Sequence, residues 1–309
     1  YAELSFLDLF QSWNLDRGRQ YRLTWYMSWS PYPDCAQKLV EFLGENSHVT
    51  LRIFAADIHS LCSGYEDGLR KLRDARAQLA IMTRDELQYC WVTFVDNQGQ
   101  PFRPWPNLVE HIKTKKQELK DILGNPMRRM YPKTFNFNFQ NLNSYGRKST
   151  FLCFEVETWE DGSVLDYQNG VFQNQLDPGH AELCFIEWFH EKVLFPDEVR
   201  CPDAQYHVTW YISWSPCFEC AEQVAGFLNE HENVDLSISA ARLYLCEDED
   251  EQGLQDLVAA GAKVAMMAPE DFEYCWDNFV YNRGWPFTYW KHVRRNYGRL
   301  QEKLDEILW

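Results

Sequence analysis

The sequence predicts an α/β protein built from two tandem copies of one domain, each a mixed sheet flanked by helices. Three observations carry that prediction. An eight-residue phrase occurs twice, S-W-S-P-Y-P-D-C at 28–35 and S-W-S-P-C-F-E-C at 213–220. A constant offset of 185 aligns Trp29 with Trp214, Cys35 with Cys220, Gly68 with Gly253, Cys90 with Cys275, Trp91 with Trp276, Pro101 with Pro286 and Trp105 with Trp290. Strand-like and helix-like stretches alternate, which implies a central sheet covered on both faces.

A repeat this long is a duplicated domain rather than a short-period solenoid. Ala2-Glu3-Leu4 matches Ala181-Glu182-Leu183 at an offset of 179, so the second copy carries six extra residues, expected in the loop at 195–202. The second copy also has an upstream stretch, from Tyr131 onward, that the first copy lacks. The first copy therefore reads as truncated at its N-terminus. Gly124 and Pro126 stop the preceding helix, placing the domains at 1–125 and 126–309.

Within the second copy, F-N-F-N-F at 135–139 and T-F-L-C-F-E-V at 150–156 alternate or run apolar and predict strands. A helix is expected over 180–193. The stretch 206–212, rich in β-branched and aromatic residues, predicts a strand. A helix over 217–229 places Ala221, Val224, Phe227 and Leu228 on one face. Then come a strand over 234–243, a helix over 252–260, a strand over 263–267, and helices over 269–280 and 289–308.

With 309 residues, 45% of them hydrophobic, the chain can bury two sizeable cores. No run of 18 or more apolar residues occurs, so no membrane span is expected. No charged stretch followed by an apolar one opens the chain, so secretion is not expected either. Ten cysteines at irregular spacing fit a reducing compartment with metal-bound or core thiols. The net charge is −16, divided into −1 for residues 1–125 and −15 for residues 126–309.

The chemistry concentrates at His180-Ala181-Glu182 and Pro216-Cys217-Phe218-Glu219-Cys220. His180, Cys217 and Cys220 offer three ligands to a zinc ion and leave a fourth position for water, as in a catalytic rather than a structural site. Cys217 and Cys220 lie three apart at a helix start, where the dipole favours thiolates. Glu182 is spaced to handle protons beside that water. A lone C-x-x-C is a weak signal, but H-x-E followed by P-C-x-x-C is a specific one.

This pattern resembles the zinc nucleobase deaminases. The stretches T-W-Y-I-S-W-S-P-C-F-E-C-A-E, A-R-L-Y (241–244), Y-C-W-D-N-F-V (274–280) and W-P-F (285–287) are similar to the APOBEC polynucleotide cytidine deaminases, in particular the two-domain members of the retrovirus-restricting third subfamily. The resemblance implies tandem cytidine-deaminase-like domains, each with a five-stranded mixed sheet. It implies zinc-dependent conversion of cytosine to uracil in single-stranded DNA, in antiviral and retroelement restriction. It further implies a cytoplasmic and nuclear location, contact with RNA, and assembly into homo-oligomers or ribonucleoprotein. By the same resemblance Thr150 touches the nucleotide backbone and Asn174 holds the sugar and base edge. Trp214 and Tyr244 line the pocket, Ser215 accepts a contact from the base, and Arg242 shapes the adjoining loop. As isolated aromatics Trp214 and Tyr244 would be read as core; inside this motif they are read as walls.

In the first copy Tyr1 stands at the His180 position and Tyr32 at the Cys217 position, while Cys35 and Glu3 persist. Asp57 and His59 replace Arg242 and Tyr244. One thiolate cannot hold a catalytic zinc, so this copy is expected to be inactive.

Charge opposes the reading in one place. Glu247–Glu251 is five acids in a row beside the expected pocket, where polyanion binding wants positive potential. Arg70, Lys71, Arg73 and Arg76, then Lys113, Lys115, Lys116 and Lys120, form two basic helices, read as solvated faces or as a grip on nucleic acid. Arg147 and Lys148 are better placed to steer a strand to Thr150. Two alternatives therefore stay open: a zinc-containing nucleic-acid-binding protein with little catalysis, and an RNA deaminase, since nothing in the sequence reports on a 2′-OH contact.

Overall fold

The computed structural model describes residues 2–13, 15–142, 149–174, 179–194, 204–245 and 249–309. The chain divides into two compact units, one of residues 1–125 and one that begins at Pro126. The loop at 195–202, Arg147, Lys148, Tyr1, Glu247 and Asp248 lie outside the described residues.

The first unit runs α1 (Ala2–Ser12), β1 (Tyr21–Met27), α2 (Pro33–Glu45), β2 (Val49–Ala55), α3 (Tyr65–Asp74), β3 (Gln78–Ile81), α4 (Arg84–Phe94) and α5 (Leu108–Leu123). Its three strands are parallel in the order β1-β2-β3. Parallel neighbours need crossovers, and α2 and α3 supply them. Among the described residues this unit shows three strands, and the five-stranded sheet that the resemblance implies is complete in the second unit.

The second unit runs α6 (Pro132–Phe139), β4 (Phe151–Glu160), β5 (Ser163–Gln173), α7 (Ala181–Phe189) with a π turn at His190–Leu194, β6 (Gln205–Ile212), α8 (Phe218–Glu230), β7 (Val234–Ala240), α9 (Glu249–Ala259), β8 (Lys263–Met266), α10 (Pro269–Phe279) and α11 (Val293–Leu308). The sheet order is β5-β4-β6-β7-β8, with β4 antiparallel to both neighbours and β6, β7 and β8 parallel. Two apolar clusters sandwich it. One joins the sheet to α7, α8, α9 and α11 through residues such as Phe154, Phe185, Trp210, Leu257 and Leu304. The other joins it to α6 and α10 through Phe135, Phe139, Phe151, Phe272 and Phe279.

Two sequence expectations change. Residues 135–139 are helical, not a strand. Their alternating phenylalanines satisfy period two, but Phe135 and Phe139 also lie one helical turn apart, and Pro132 favours a helix start. The buried residues Thr134, Phe135, Asn138 and Phe139 form one helical face, and the two rings stack at 4.8 Å. Strand β5 escaped prediction because its first half is exposed and its apolar residues there, Val164, Leu165 and Tyr167, do not alternate with polar ones. Its signal was the turn: Asp161 and Gly162 both take positive φ (50° and 76°), the two-residue hairpin that Asp-Gly favours.

The duplication extends to backbone detail. The Trp91 indole donates to the Gln100 carbonyl at 2.7 Å, and Trp276 donates to Trp285 at 2.7 Å. Asn107 and His292, at equivalent positions, both take left-handed φ (64° and 67°). A Cβ on Gly68 would sit 3.2 Å from the Pro33 Cα, and one on Gly253 would sit 3.1 Å from the Phe218 Cα. Both glycines exist for the same close crossing of two helices.

The basic helix at 70–76 is not a solvated grip. Arg70 reaches the carbonyl of Ile122 at 3.1 Å and Glu66 at 3.0 Å. Arg73, 5% exposed, donates to the carbonyls of Leu123 and Asn125 and pairs with Asp74. Arg76 donates to the carbonyls of Leu43 and Ser47, and burial pulls its guanidinium down to about 10. Arg70 and Arg73 satisfy the orphan carbonyls that end α5, and Arg76 one of those near the end of α2. Lys115 is likewise engaged, with Asp57 and Glu118. No helix among the described residues is long and apolar enough to cross a membrane.

Arg73→Ala is accordingly expected to cost the first unit about 2 kcal/mol, since buried carbonyls lose a charged donor. A urea titration followed by unit-specific hydrogen exchange reads this. Unchanged protection with weaker single-stranded DNA binding would return Arg73 to the nucleic-acid role.

Candidate active site and metal centre

The site forms where β6 and β7 end and α7 and α8 begin. Strand β6 delivers Ser213, Trp214, Ser215, Pro216 and Cys217; β7 delivers Ala241, Arg242, Leu243 and Tyr244. Carboxyl ends of parallel strands are where open α/β sheets place their ligands.

His180 is the N-cap of α7 and Cys217 the N-cap of α8, both in extended backbone geometry. Neither side chain is spent on capping its helix. Nδ1 of His180 lies 3.0 Å from Sγ of Cys220 and 3.4 Å from Sγ of Cys217. The three ligand atoms all fall within 4.8 Å of one another, the one such group of three or more among the described residues. Tetrahedral zinc with two sulfur ligands and one nitrogen brings N and S to about 3.5 Å, so the donors stand at the spacing such an ion requires.

The protons tell the same story. Hydrogen bonding with Cys220 and His180 pulls the Cys217 thiol down to about 4. The Cys220 thiol is held far above its ordinary range, first by its bond to Cys217 and then by burial. His180 is raised by its bond to the Cys217 sulfur. The pair thus gives up one proton readily and keeps the second, and a dication is what would neutralise two thiolates. Two helix N-termini add positive potential.

Glu182 sits in the first turn of α7, 3% exposed. Burial pushes its carboxyl up to about 7. Its Oε2 is buried with no hydrogen-bond partner in the protein. A buried carboxylate oxygen left unpaired beside a ligand triad marks a place for a proton-carrying group from outside the chain.

Around this core the structure brings the other expected residues together in pairs. Thr150 and Asn174 close the open end of the β4–β5 hairpin: Thr150 N donates to Asn174 Oδ1 and Asn174 N to the Thr150 carbonyl, both at 3.0 Å. Trp214 and Tyr244 meet edge to face, centroids 6.3 Å apart, and both keep solvent-accessible surface. Ser215, 3% exposed, accepts from Tyr244 N at 2.8 Å and so ties the two loops. Arg242 is wholly buried. Its guanidinium lies 4.0 Å from the Trp214 ring and donates to the Gln140 carbonyl. It stands as a buried cation against that ring.

Sequence reasoning missed Ser213 and Asp250. Ser213 Oγ accepts from Phe151 N at 2.9 Å, fixing β4 against the loop that carries Trp214. Asp250, read as one acid of a solvated run, is 3% exposed and accepts from Phe218 N at 2.9 Å. Both pairings link residues distant in the chain; Asp250 carried one signal, Tyr65 at the equivalent place in the first copy, whereas Ser213 matches Ser28 and carried none.

The first unit fills the equivalent space with aromatics. Tyr32 lies against His59 with centroids 4.1 Å apart, and Trp29 against His59 at 5.5 Å. Cys35 is buried, and burial first, then Glu3, pushes its thiol up to about 11. A protonated buried thiol beside a carboxyl is a poor start for a metal site.

Arg242→Leu is expected to destabilise the second unit by about 2 kcal/mol or more, because the Trp214 ring loses its cation and Gln140 its donor. Thermal unfolding with Trp fluorescence checks this. A variant of equal stability that binds DNA more weakly would mean that Arg242 reaches substrate itself.

Comparison with known proteins supports the same placement. The family described as "APOBEC3, cytosine deaminase domain" matches residues 1–123 and again 128–308. The chain is 38% identical over 324 residues to the DNA dC->dU-editing enzyme APOBEC-3G of Papio anubis, covering all of this chain and 82% of that protein. It is 38% identical over 326 residues to the enzyme of that name from Chlorocebus aethiops, covering 99% and 83%. For Erythrocebus patas the figures are 37% over 327 residues, 100% and 82%. With the family's domain matched twice along nearly the whole chain, and with a His-Cys-Cys group and a buried glutamate in the second copy, this protein belongs to the APOBEC3 cytosine deaminase family.

Proposed function

We propose that the second unit converts cytosine to uracil in single-stranded DNA, and that the first unit is a catalytically silent accessory. The observation that carries this is the convergence of His180, Cys217 and Cys220 beside the unpaired buried oxygen of Glu182. The relatives named as DNA dC->dU-editing enzymes support it.

His180 Nδ1 and the sulfurs of Cys217 and Cys220 would hold zinc, the ion that a soft two-sulfur, one-imidazole donor set favours. When bound, it supplies the Lewis acidity that makes a water nucleophilic near neutral pH. The chain's residues do the rest. Trp214 and Tyr244 flank the flipped base, each stacking contact contributing about 1–3 kcal/mol. Thr150 and Asn174 hold backbone and sugar, and Ser215 keeps the two aromatic loops in register. Glu182 takes a proton from the attacking water and passes it to the ring nitrogen. The water oxygen bonds to C4, the C4–N4 bond breaks, and ammonia leaves with a proton returned through Glu182.

A second reading has one observation in its favour. The catalytic half carries a net charge of −15, which disfavours a polyanion. A zinc-containing nucleic-acid-binding protein with little catalysis, whose grip lies in the near-neutral first half and not in the acidic second, would fit that charge distribution.

Uracil formation in a cytosine-containing single-stranded oligonucleotide at low salt, with zinc quantified in parallel, separates the two. The expected result is activity from the wild type, loss of at least about a thousandfold in Glu182→Gln, and about one zinc per chain in both. Zinc without activity in the wild type would sink the deaminase reading and leave the binding protein. Two zinc ions per chain would overturn the silent first unit.

A further inference from the structure

Helix α8 carries both sulfurs of the ligand group, Cys217 at its N-cap and Cys220 in its first turn. A helix start leaves orphan N–H groups, and the usual remedy is a Ser, Thr, Asp or Asn at the N-cap whose side chain turns back to accept them. A cysteine that must face a metal cannot do this, and Cys217 makes no side-chain cap bond. The acceptor comes from another helix. Oδ1 of Asp250, in the first turn of α9, accepts from the N–H of Phe218 at 2.9 Å. Asp250 is 3% exposed. The bond can form because α9 crosses α8 closely at Gly253, where a Cβ would come within 3.1 Å of the Phe218 Cα.

The first copy supplies an internal control. Its α2 and α3 cross at the equivalent glycine, Gly68, at the same closeness. Yet the Asp250 position holds Tyr65 and the Phe218 position holds Pro33. Tyrosine offers no carboxylate, and proline has no N–H to give. The copy without the ligand pair has lost both donor and acceptor while keeping the helix packing. The bond therefore travels with the ligands and not with the fold.

We propose that Asp250 is a positioning residue of the metal centre. By holding the peptide between Cys217 and Phe218 from outside α8, it sets the direction of the Cys217 sulfur toward His180 and Cys220. Outer partners of this kind typically change metal affinity by about 10- to 100-fold. The inference rests on the reading of His180, Cys217 and Cys220 as a zinc site. It also reassigns one residue of the acidic run: the Asp250 side chain is turned inward and bonded to α8, not part of a face that meets DNA.

The test uses the full chain and zinc affinity, measured by competition with a chromophoric chelator at fixed pH, together with the absorption spectrum of the cobalt-substituted protein. Asp250→Ala is expected to weaken zinc about 10- to 100-fold and to shift the thiolate-to-cobalt band. Asp250→Asn keeps an oxygen acceptor and is expected to stay within about threefold of wild type. Phe218→Pro removes the N–H at a helix position that tolerates proline. It is compared with Phe218→Ala, which loses the same ring but keeps the N–H. Phe218→Pro is expected to bind zinc more weakly than Phe218→Ala, and this difference should vanish in the Asp250→Ala background. If Asp250→Ala does not fold, the two Phe218 variants alone decide the matter. Wild-type affinity and spectrum in Asp250→Ala, or equal affinity in the two Phe218 variants, would overturn the proposal while leaving the zinc site standing. A wild-type chain that binds no zinc overturns the zinc reading, and this inference with it.

Discussion

A helix must satisfy the N–H groups of its first turn, and in the second unit two helices begin on residues that have other work. His180 and Cys217 occupy the N-cap positions of α7 and α8 without capping them. That constraint organises what surrounds them. It needs two helix N-termini delivered to one point, and α7 and α8 follow β5 and β6 in the chain. It needs a cap from elsewhere, which Asp250 provides for α8. It also concentrates the positive ends of two helix dipoles on sulfurs that must shed protons. The geometry that looks wasteful for helix stability is favourable for thiolate ligands.

The duplicated unit shows how far the fold and the site are separable. Gly68 and Gly253 keep one helix crossing, and Trp91 and Trp276 keep one loop anchored by the same indole bond. These are packing solutions, and both copies retain them. Ligand chemistry is not needed for packing. In the first unit Tyr32 and His59 fill the space with rings tilted against each other, and Cys35 stays a buried thiol. A fold held by a parallel sheet and crossing helices survives the loss of its metal ligands, because those ligands sit at helix starts beyond the strand ends, where packing does not require them.

Charge has to be read through burial. Arg70, Arg73 and Arg76 look like a cationic patch, yet they serve as caps on helix ends and are largely consumed by carbonyls. Arg242 looks like a substrate contact and is a buried support beneath Trp214. Asp250 looks like one more repelling acid and is a clamp. In each case the guanidinium or carboxylate is engaged inside the protein, so the formal charge overstates what reaches solvent.

The repeat, the tandem organisation and the ligand triad were legible in the sequence, because each rests on residue identity at fixed spacing. A constant offset needs no coordinates, and His180, Glu182, Cys217 and Cys220 form a pattern that few other chemistries require. What misled was periodicity in a short stretch. Residues 135–139 fit two periods at once, and only packing of Phe135 on Phe139 and against α10 decided for a helix. Strand β5 was hidden because a strand exposed over half its length has no apolar alternation to show. The roles of Arg73, Arg242 and Asp250 were beyond the sequence for another reason. Each depends on a backbone group or ring brought near by the fold, from 32 residues away for Asp250 and Phe218 to 102 for Arg242 and Gln140. The sequence determines which atoms can bind a metal. Tertiary structure decides which charges are free, because only the folded chain shows where an orphan N–H or carbonyl lies within reach of a side chain.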